Sequence, residues 1–496
     1  MEIIIIIIQK MRSFVPPKLK SMHNTCMCLL HFLLFRVNPF LINLFYFISI
    51  SLLGSLALSL MNPRVPSQKP SFIDTLYLSV SASTVSGLAT VEMEVLSNAQ
   101  LVVLTLLMLF GGEVFVSMLS LPFNTIKHKQ RKHDQNRVAD SLESGNPNPP
   151  DKDLKLSSMK HLFYVVFGYH AAVVAVGAFS IALYVTRIAG AREVLARKGL
   201  RASTFSASVA ISSFANAGLI PTNENMAIFR SDSGLLLMVV PLVLLGNTLF
   251  PLFLQLAIWV LKRVTGRPEF DYMLGRHDEI RFRHLLPNGE YGPLTVGVLG
   301  IIVAQVVLFC AMDWRSDGLA GLSPYRKIIV SLFQGVNSRH AGESAVDFSV
   351  VSAAVLVLCI AAMYLPAYTS FLPLGTKQGK QRKGRLIEFL HLSQIAYILV
   401  FVILVCIIEK NKMRDDPVNF SFLNVLFEVV SAYGNVGFSV SYSCARRLNT
   451  DGACVDKAYG FSGWWSDAGK LIIIFVMLFG RLKRFTMHGG KSWRLR

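Results

Sequence analysis

Eight long apolar segments, spread over most of the chain, restrict its fold more than any other feature. A helix that crosses a bilayer needs about 20 mostly apolar residues, and each of these segments comes close to that requirement. The composition agrees, because 53% of the residues are hydrophobic and only 16% are charged. We therefore predict an all-α polytopic membrane protein. Its predicted spans are residues 39–60, 98–122, 161–186, 233–261, 293–312, 350–372, 387–408 and 463–483.

A second kind of segment lies between the two spans of each successive pair. These segments are moderately apolar, too polar or too short to span, and each reaches Ser, Thr or Asn and then Gly. They are residues 72–92, 203–221, 325–344 and 420–439. Irregular backbone at membrane depth is tolerated only where protein buries it or where it lines a cavity. The pattern therefore predicts four repeats of transmembrane helix, re-entrant pore loop and transmembrane helix around one central ion pore.

These units divide the chain into an N-terminal arm, four repeats named A to D, three linkers and a tail. The predicted boundaries are 1–38 for the arm, 39–122 for repeat A, 123–160 for the first linker, 161–261 for repeat B, 262–292 for the second linker, 293–373 for repeat C, 374–386 for the third linker, 387–485 for repeat D and 486–496 for the tail.

The Lys and Arg residues indicate the orientation. Two spans per repeat put all linkers on one side, and these carry eight cations at 123–160, six at 262–290 and five at 375–386. The positive-inside rule places them in the cytoplasm with both termini. The net charge of +19 is thus a topology signal, and we expect no nucleic-acid partner. One outer segment, 187–201, opposes the rule with five cations, and an amphipathic surface helix would account for it.

Two uncharged phrases recur in the second type of segment. They are "SSFANAGLIPTN" at 212–223 and "SAYGNVGFSVSY" at 431–442. Four such loops around an axis would bring four extended backbones together, and backbone carbonyls can replace the hydration shell of a monovalent cation. Glycine suits the narrowest point because it adds no side chain and permits unusual dihedrals. The candidate selectivity-filter residues, which would bind K⁺ or Na⁺ through carbonyl oxygens, are Gly87, Gly218, Gly342 and Gly437.

The second spans also repeat a short motif. "LFGGEVF" (109–115), "LLGNTLF" (244–250) and "LFGRLKRF" (478–485) share an apolar pair followed by Gly, and repeat C has Pro366 at that position. The offset from the filter glycine to this position is 24 residues in repeats A and C, from 87 to 111 and from 342 to 366. A matching offset in two units indicates internal repetition.

Four ordered motifs resemble one known family. "TVSGLATVEMEV", "SSFANAGLIPTNENM", "NSRHAGESAVD" and "SAYGNVGFSVSYSC", with "GKLIIIFVMLFGRLKRF" near the end, are similar to the plant high-affinity potassium transporters, HKT, of the Trk/Ktr/HKT superfamily. The resemblance covers about residues 36–490. It implies a single-file pore for K⁺ and Na⁺ in the plasma membrane, working by cotransport or uniport, and a homodimer. Because Gly87 occupies the first filter position, the chain resembles the glycine-filter, potassium-permeable subgroup.

The last predicted span carries two cations, Lys470 and Arg481. A buried Arg costs at least about 2.5–3.5 kcal/mol on insertion scales. From the sequence alone, a positive-inside stop signal is the better interpretation of Arg481. The superfamily places an arginine in this span, so the resemblance instead makes Arg481, with Lys470, an electrostatic barrier below the filter.

Carboxylates follow each of the first three filter glycines within ten residues and would concentrate cations at the outer mouth. They are Glu92, Glu94, Glu224, Glu343 and Asp347. For any single one, a structural role in capping or bridging the loops is the alternative. Separately, Cys444 and Cys454 share a polar loop, and a disulfide is expected there if that loop faces an oxidising compartment.

The sequence also bears on function classes other than a K⁺/Na⁺ pore. An alternating-access transporter for organic solutes would show inverted repeats, whereas these repeats share one orientation. A membrane enzyme is not expected, because no HExxH, GxSxG or phosphate-loop motif occurs, and no cofactor is implied. A Na⁺-selective uniporter and a poorly active relative that serves as a partner subunit remain open.

Overall fold

The computed structural model of the chain describes residues 39–123, 125, 150–280, 282–287, 289–365, 394–447 and 454–486, and the regular structure in these ranges is helical. The helices are, in chain order, α1 (Pro39–Leu60), α2 (Phe72–Ser83), α3 (Asn98–Gly111), α4 (Glu113–Phe123), α5 (Pro150–Arg187), α6 (Ala189–Arg197), α7 (Ala202–Ala215), α8 (Ser233–Gly246), α9 (Phe250–Thr265), α10 (Pro268–Gly275), α11 (His277–Ile280), α12 (Tyr291–Asp313), α13 (Pro324–Asn337), α14 (Ala353–Tyr364), α15 (Gln394–Ile408), α16 (Lys410–Asp415), α17 (Phe422–Gly434) and α18 (Asp467–Thr486).

Four of these helices are the pore helices α2, α7, α13 and α17, and they lie where the sequence predicts them. Helices α2, α7 and α17 each pack against both spans of their own repeat, and α13 packs against the first span of its repeat, α12. Each also contacts the second span of the preceding repeat: α3 contacts α7, α8 contacts α13, α14 contacts α17, and α18 contacts α2. The four repeats therefore close into a ring, which confirms the predicted fold class.

The spans differ in length and straightness. Three described helices, α1, α5 and α12, are long and apolar enough to cross a membrane, and two bent pairs raise the count to five. The pairs are α3 with α4, bent by 54°, and α8 with α9, bent by 79°. Helices α14 and α15 are shorter apolar helices that border residues 366–393, which lie outside the described part. That gap contains Pro366 and the third predicted linker.

Two predicted linkers contain helices. Helix α5 begins at Pro150, within the predicted linker 123–160, and the second linker contains α10 and α11. The added turns of α5 dock on α10: Met159 packs with Phe270 and Met273 in one buried cluster. The Ser158 hydroxyl also donates to the Glu269 carbonyl at 3.3 Å. The sequence analysis predicts a linker over 123–160, but tertiary packing extends helix α5 through its last part.

The glycine repeated in the second spans has a packing function. Gly111, Gly246 and Gly480 each lie against the carbonyl group of a residue at the end of the pore helix in the same repeat. These carbonyls belong to Ser83, Phe214 and Tyr433. A Cβ at any of the three glycines would overlap that carbonyl, so only glycine allows the second span to approach the pore helix this closely.

Candidate functional site

The four loop glycines meet at the centre of the ring. A Cβ built on Gly87 would lie 2.6 Å from the Cα of Gly437 and 3.2 Å from the Cα of Gly218. A Cβ on Gly218 would lie 3.3 Å from the Cα of Gly342, and one on Gly342 would lie 2.8 Å from the Cα of Gly437. The tertiary structure thus brings together four residues that span 350 positions of the sequence.

All four glycines have left-handed backbone geometry. Their φ angles are 69°, 72°, 69° and 111° in chain order, and L side chains rarely adopt such values. Each missing Cβ points toward the carbonyl of the residue before another of the four loop glycines. For Gly87 this is the Ala217 oxygen at 2.6 Å, and for Gly218 it is the Ala341 oxygen at 2.8 Å. Any side chain at these positions would displace the backbone of the adjoining repeat.

The asparagine of the recurrent phrase supports this geometry. Asn216 and Asn435 end their pore helices in the left-handed conformation, with φ of 58° and 50°. Asn435 Nδ2 donates to the Met477 carbonyl of α18 at 2.9 Å and to the Ser86 hydroxyl of repeat A at 2.8 Å. Short polar side chains tolerate this conformation and bond the local backbone. Each asparagine therefore turns the chain into the loop and ties it to a second span.

The same backbone turn occurs in repeat A with a different residue. Val85 stands two residues before Gly87, as the asparagines do before theirs, and its φ is 51°. In repeats A, B and D, the amide of the residue before the loop glycine donates to a carbonyl five residues earlier, as in a Schellman turn. These bonds are Ser86 N to Ser81 O at 2.8 Å, Ala217 N to Ser212 O at 2.8 Å and Val436 N to Ser431 O at 3.1 Å.

A cavity of about 580 Å³ opens above the ring. The four loop glycines line it together with polar residues of repeats B, C and D. The charged residues in its lining are Glu224, Asp347, Asp456, Arg446 and Lys457. Three carboxylates thus face two cations in the cavity wall, and the two cations come from the loop of repeat D.

The predicted mouth carboxylates occupy different environments. Glu224 and Asp347 line the cavity, and the Asp347 carboxylate also accepts from the Ser349 amide at 2.8 Å. Glu92 accepts from the Ala458 amide at 3.2 Å. Glu94 accepts from the Asn223 amide at 3.0 Å. Both of these are partly exposed carboxylates that join neighbouring loops.

Glu343 requires a correction. It is completely buried, and its carboxylate accepts from the Ser213 hydroxyl of pore helix α7 at 2.7 Å. A carboxylate in this position joins repeat C to repeat B behind the filter loop. It does not face the outer mouth, because the residues that point into the cavity at this place are Gly342 and Ser344.

Lys470 also requires a correction. Its ammonium lies 2.8 Å from an Asp74 carboxylate oxygen at the start of pore helix α2, and the Lys470 side chain is only 10% exposed. Asp74 therefore offsets the charge of Lys470. It does so in the first turn of α2, whereas Gly87 follows the last turn of that helix. This ion pair joins repeats D and A, so Lys470 is not a barrier below the filter.

Arg481 lies in the interior, at 0% exposure. Its Nη2 donates to the Gly111 carbonyl, where α3 ends and the bend toward α4 begins. Its guanidinium carbon lies 5.5 Å from the centre of the Phe47 ring, within the range of a cation–π contact. The side chain thus extends from repeat D to repeat A next to the glycine that packs on α2.

A disulfide joins Cys444 and Cys454, whose Cα atoms are 5.7 Å apart. The loop that contains them continues into Asp456, Lys457 and Gly460, which line the outer cavity. The Gly460 amide donates to the carbonyl of Ala89, two residues after Gly87, at 2.9 Å. The loop of repeat D therefore covers part of repeat A.

Sequence reasoning missed several residues that support the site. Glu428 is completely buried in α17 and accepts from the Ser439 hydroxyl at 2.7 Å and the Ser462 amide at 3.1 Å. A carboxylate in the middle of an apolar pore helix was the available signal, because such a residue needs several partners. Lys198 was missed because it is one of five cations in a segment that looks like a solvated surface.

Comparisons with known proteins agree with this architecture. The family pattern described as TrkH, cation transport protein, matches residues 37–380 and 378–488. The chain is 43% identical to the cation transporter HKT1;3 of Oryza sativa subsp. japonica, over 99% of this chain and 98% of that protein. It is 42% identical to the sodium transporter HKT1 of Arabidopsis thaliana, with coverages of 88% and 92%. It is 41% identical to the cation transporter HKT2;4 of Oryza sativa subsp. japonica, with coverages of 92% and 95%.

The fold is also that of a solved transporter. The potassium transporter TrkH from Vibrio parahaemolyticus superposes with a TM-score of 0.51 at 16% identity, covering 91% of this chain and 84% of that one. Relatives numbered HKT1 and HKT2 match at nearly equal identity, so identity does not separate the two subgroups. The chain is a multi-pass membrane protein and not an enzyme; it belongs to the HKT cation transporters of the TrkH cation transport family.

Proposed function

We propose that the chain conducts K⁺ and Na⁺ through the ring formed by Gly87, Gly218, Gly342 and Gly437. The observation that carries this proposal is their convergence, all at positive φ, directly below an outer cavity. An uncharged ring of backbone suits monovalent cations, because carbonyl dipoles replace the hydration shell without binding the ion too strongly to leave. Transport is then downhill permeation, with or without coupling of the two ions.

The proposal that the ring conducts K⁺ as well as Na⁺ depends on Gly87. A Cβ at this position would lie 2.6 Å from both the Ala217 oxygen and the Gly437 Cα. A serine would therefore push apart the backbones of two neighbouring repeats and make the ring unequal on one side. With glycine in all four positions, the ring keeps its near-fourfold form, and we assign the chain to the potassium-permeable subgroup on this basis.

Other parts of the molecule extend the proposal. Arg481 would act as an electrostatic barrier to cations that leave the filter, because it is a buried cation next to the ends of α2 and α3. Carboxylates that line the cavity, Glu224 and Asp347, would raise the local cation concentration. We further propose a plasma-membrane homodimer with both termini in the cytoplasm, in line with the cation-rich linkers.

Two alternatives remain under test. One is a Na⁺-selective uniporter, which the similarity to the sodium transporter HKT1 of Arabidopsis thaliana favours. The other is a poorly active relative that serves as a partner subunit. Reversal potentials in voltage-clamped oocytes, with external Na⁺ and K⁺ varied separately, distinguish them. Shifts with both ions support the proposal, shifts with Na⁺ alone support the uniporter, and surface protein without current supports the partner subunit.

The Gly87→Ser variant tests the ring itself. We expect it to lower K⁺ permeability relative to Na⁺, because the added side chain has no free space between repeats B and D. Gly300→Ser is the matched control, since a Cβ there meets no atom within 4 Å and the residue is exposed on α12. A permeability ratio that is unchanged in Gly87→Ser, with normal surface expression, would remove Gly87 from the filter.

A further inference from the structure

The cation-rich segment 187–201 on the predicted outer side violates the positive-inside pattern, and the structure separates its five cations into two kinds. Four are exposed arginines on or beside α6: Arg187, Arg192, Arg197 and Arg201. The fifth, Lys198, has a side chain that is only 18% exposed. Helix α6 buries Ala191, Val194 and Leu195, so it is the amphipathic surface helix that the sequence predicts.

The backbone of Lys198 is held firmly in place. Its amide closes the end of α6 by donating to the Val194 carbonyl at 3.0 Å. Its own carbonyl accepts from Arg64 Nη1 at 2.7 Å, and the Arg64 amide donates to the Val95 carbonyl at 2.8 Å. The end of α6 is therefore fixed against the loop that follows the filter of repeat A, next to Glu94.

The Lys198 ammonium lies between two carboxylates from different repeats. It is 2.7 Å from Glu94 Oε1 of repeat A and 2.7 Å from Glu224 Oε1 of repeat B, and it also reaches Glu224 Oε2 at 2.8 Å. Burial by itself would lower the pKa of Lys198, but the hydrogen bonds and charges of Glu224 and Glu94 outweigh it and raise the pKa above its usual value. Lys198 therefore stays charged at physiological pH.

Both carboxylates are tied to the cavity above the glycine ring. Glu224 lines the cavity, six residues after Gly218. Glu94 and Asn223 exchange two hydrogen bonds of 3.0 Å, one from each backbone amide to the other side chain, and Asn223 also lines the cavity. The charge at this position is thus −1 with Lys198 present and −2 without it.

We propose that Lys198 sets the electrostatic potential of the outer cavity and thereby the apparent cation affinity of the transporter. It offsets one of two mouth carboxylates, which limits the accumulation of cations beside the filter. This inference rests on the proposed transport function. It also explains why a positive residue stands on the outer side: the charge is directed at the ion pathway, whereas the surrounding arginines face solvent.

Radiolabelled Na⁺ uptake into proteoliposomes, measured at two ionic strengths, tests the inference. We expect Lys198→Gln to lower the KM for Na⁺ about threefold at an ionic strength of about 0.01 M, where the screening length is about 30 Å. At about 0.15 M, where this length is about 8 Å, the KM values of variant and wild type should converge. Arg197→Gln is the matched control: its side chain is 69% exposed and pairs only with Glu193 among described contacts, so its KM should equal that of the wild type.

A second variant keeps the test decisive if Lys198→Gln does not fold. Glu224→Gln removes one carboxylate and leaves Lys198 with Glu94, so the KM should rise at low ionic strength. Equal KM values for wild type and both variants, or shifts of the same size at both ionic strengths, would overturn the inference. Absence of uptake by the wild-type protein would instead overturn the proposed function, so the two failures are distinguishable.

Discussion

Replacing Asn435 tests how the recurrent phrase holds the filter loop. This residue is 1% exposed, has a φ of 50°, and donates through Nδ2 to the Met477 carbonyl and the Ser86 hydroxyl. Two substitutions separate its two roles. Asn435→Gly removes the hydrogen bonds but keeps the backbone conformation accessible, whereas Asn435→Ala removes the bonds and also disfavours the conformation.

The expected losses follow from these contacts. Each of the two bonds contributes roughly 1 kcal/mol net, so Asn435→Gly should lower the free energy of unfolding by about 2 kcal/mol. Alanine adds about 1–2 kcal/mol for a left-handed residue with a Cβ. The greater flexibility of glycine in the unfolded chain offsets about 0.5–1 kcal/mol of that difference. Asn435→Ala should therefore be less stable than Asn435→Gly by about 1 kcal/mol.

Because membrane proteins of this size unfold irreversibly, the assay is a rate. We would measure the half-life of the monodisperse species at a fixed temperature for purified protein in lipid-containing detergent. The expected order is wild type, Asn435→Gly, then Asn435→Ala, and the same order should hold for Asn216, which has a φ of 58°. If the alanine and glycine variants have equal half-lives at both positions, the left-handed turn does not contribute to stability and the reasoning is wrong.

Two further predictions concern packing and pH. Gly246→Ala should reduce stability by about 3 kcal/mol or more through overpacking, because its Cβ would overlap the Phe214 carbonyl. Gly168→Ala is the control and should be neutral or stabilising, because a Cβ there meets no atom within 4 Å. Equal heat resistance of the two variants would contradict this prediction. Burial lowers the pKa of His284 from 6.5 to about 4. Between these pH values the unfolded chain therefore binds a proton at this histidine that the folded chain does not bind. The free energy of unfolding should consequently fall as the pH falls through this window. His284→Gln should flatten that acid dependence in thermal unfolding from pH 7 to 4, and an unchanged slope would show that His284 is not responsible.

Much of the architecture follows from the sequence because its signals are local. Apolar length identifies the spans, and the fall in hydrophobicity before Gly87, Gly218, Gly342 and Gly437 identifies the pore helices within a few residues. The second-span motif indicated internal repetition, and the structure adds that Gly111, Gly246 and Gly480 pack on the pore helices. The assignment of the four loop glycines as a selectivity filter stays a prediction until permeation is measured.

Charged side chains were harder to assign, because their environment depends on segments distant in sequence. Glu343 and Asp347 stand four positions apart, yet the first is buried against Ser213 and the second lines the cavity. Lys470 pairs with Asp74, almost 400 positions away. The length of α5 was underestimated for the same reason, since its first turns depend on docking with α10.

The sequence by itself determined that this chain is a membrane protein of four repeats, with a pore helix and a glycine loop in each. These properties depend on hydrophobic length and backbone freedom, which neighbouring residues along the chain control. Only the tertiary structure decided which carboxylates face the ion pathway and which cation opposes them. Such choices depend on Coulomb interactions and hydrogen bonds between repeats, and in this protein Lys198 bridges Glu94 and Glu224 only because repeats A and B pack side by side.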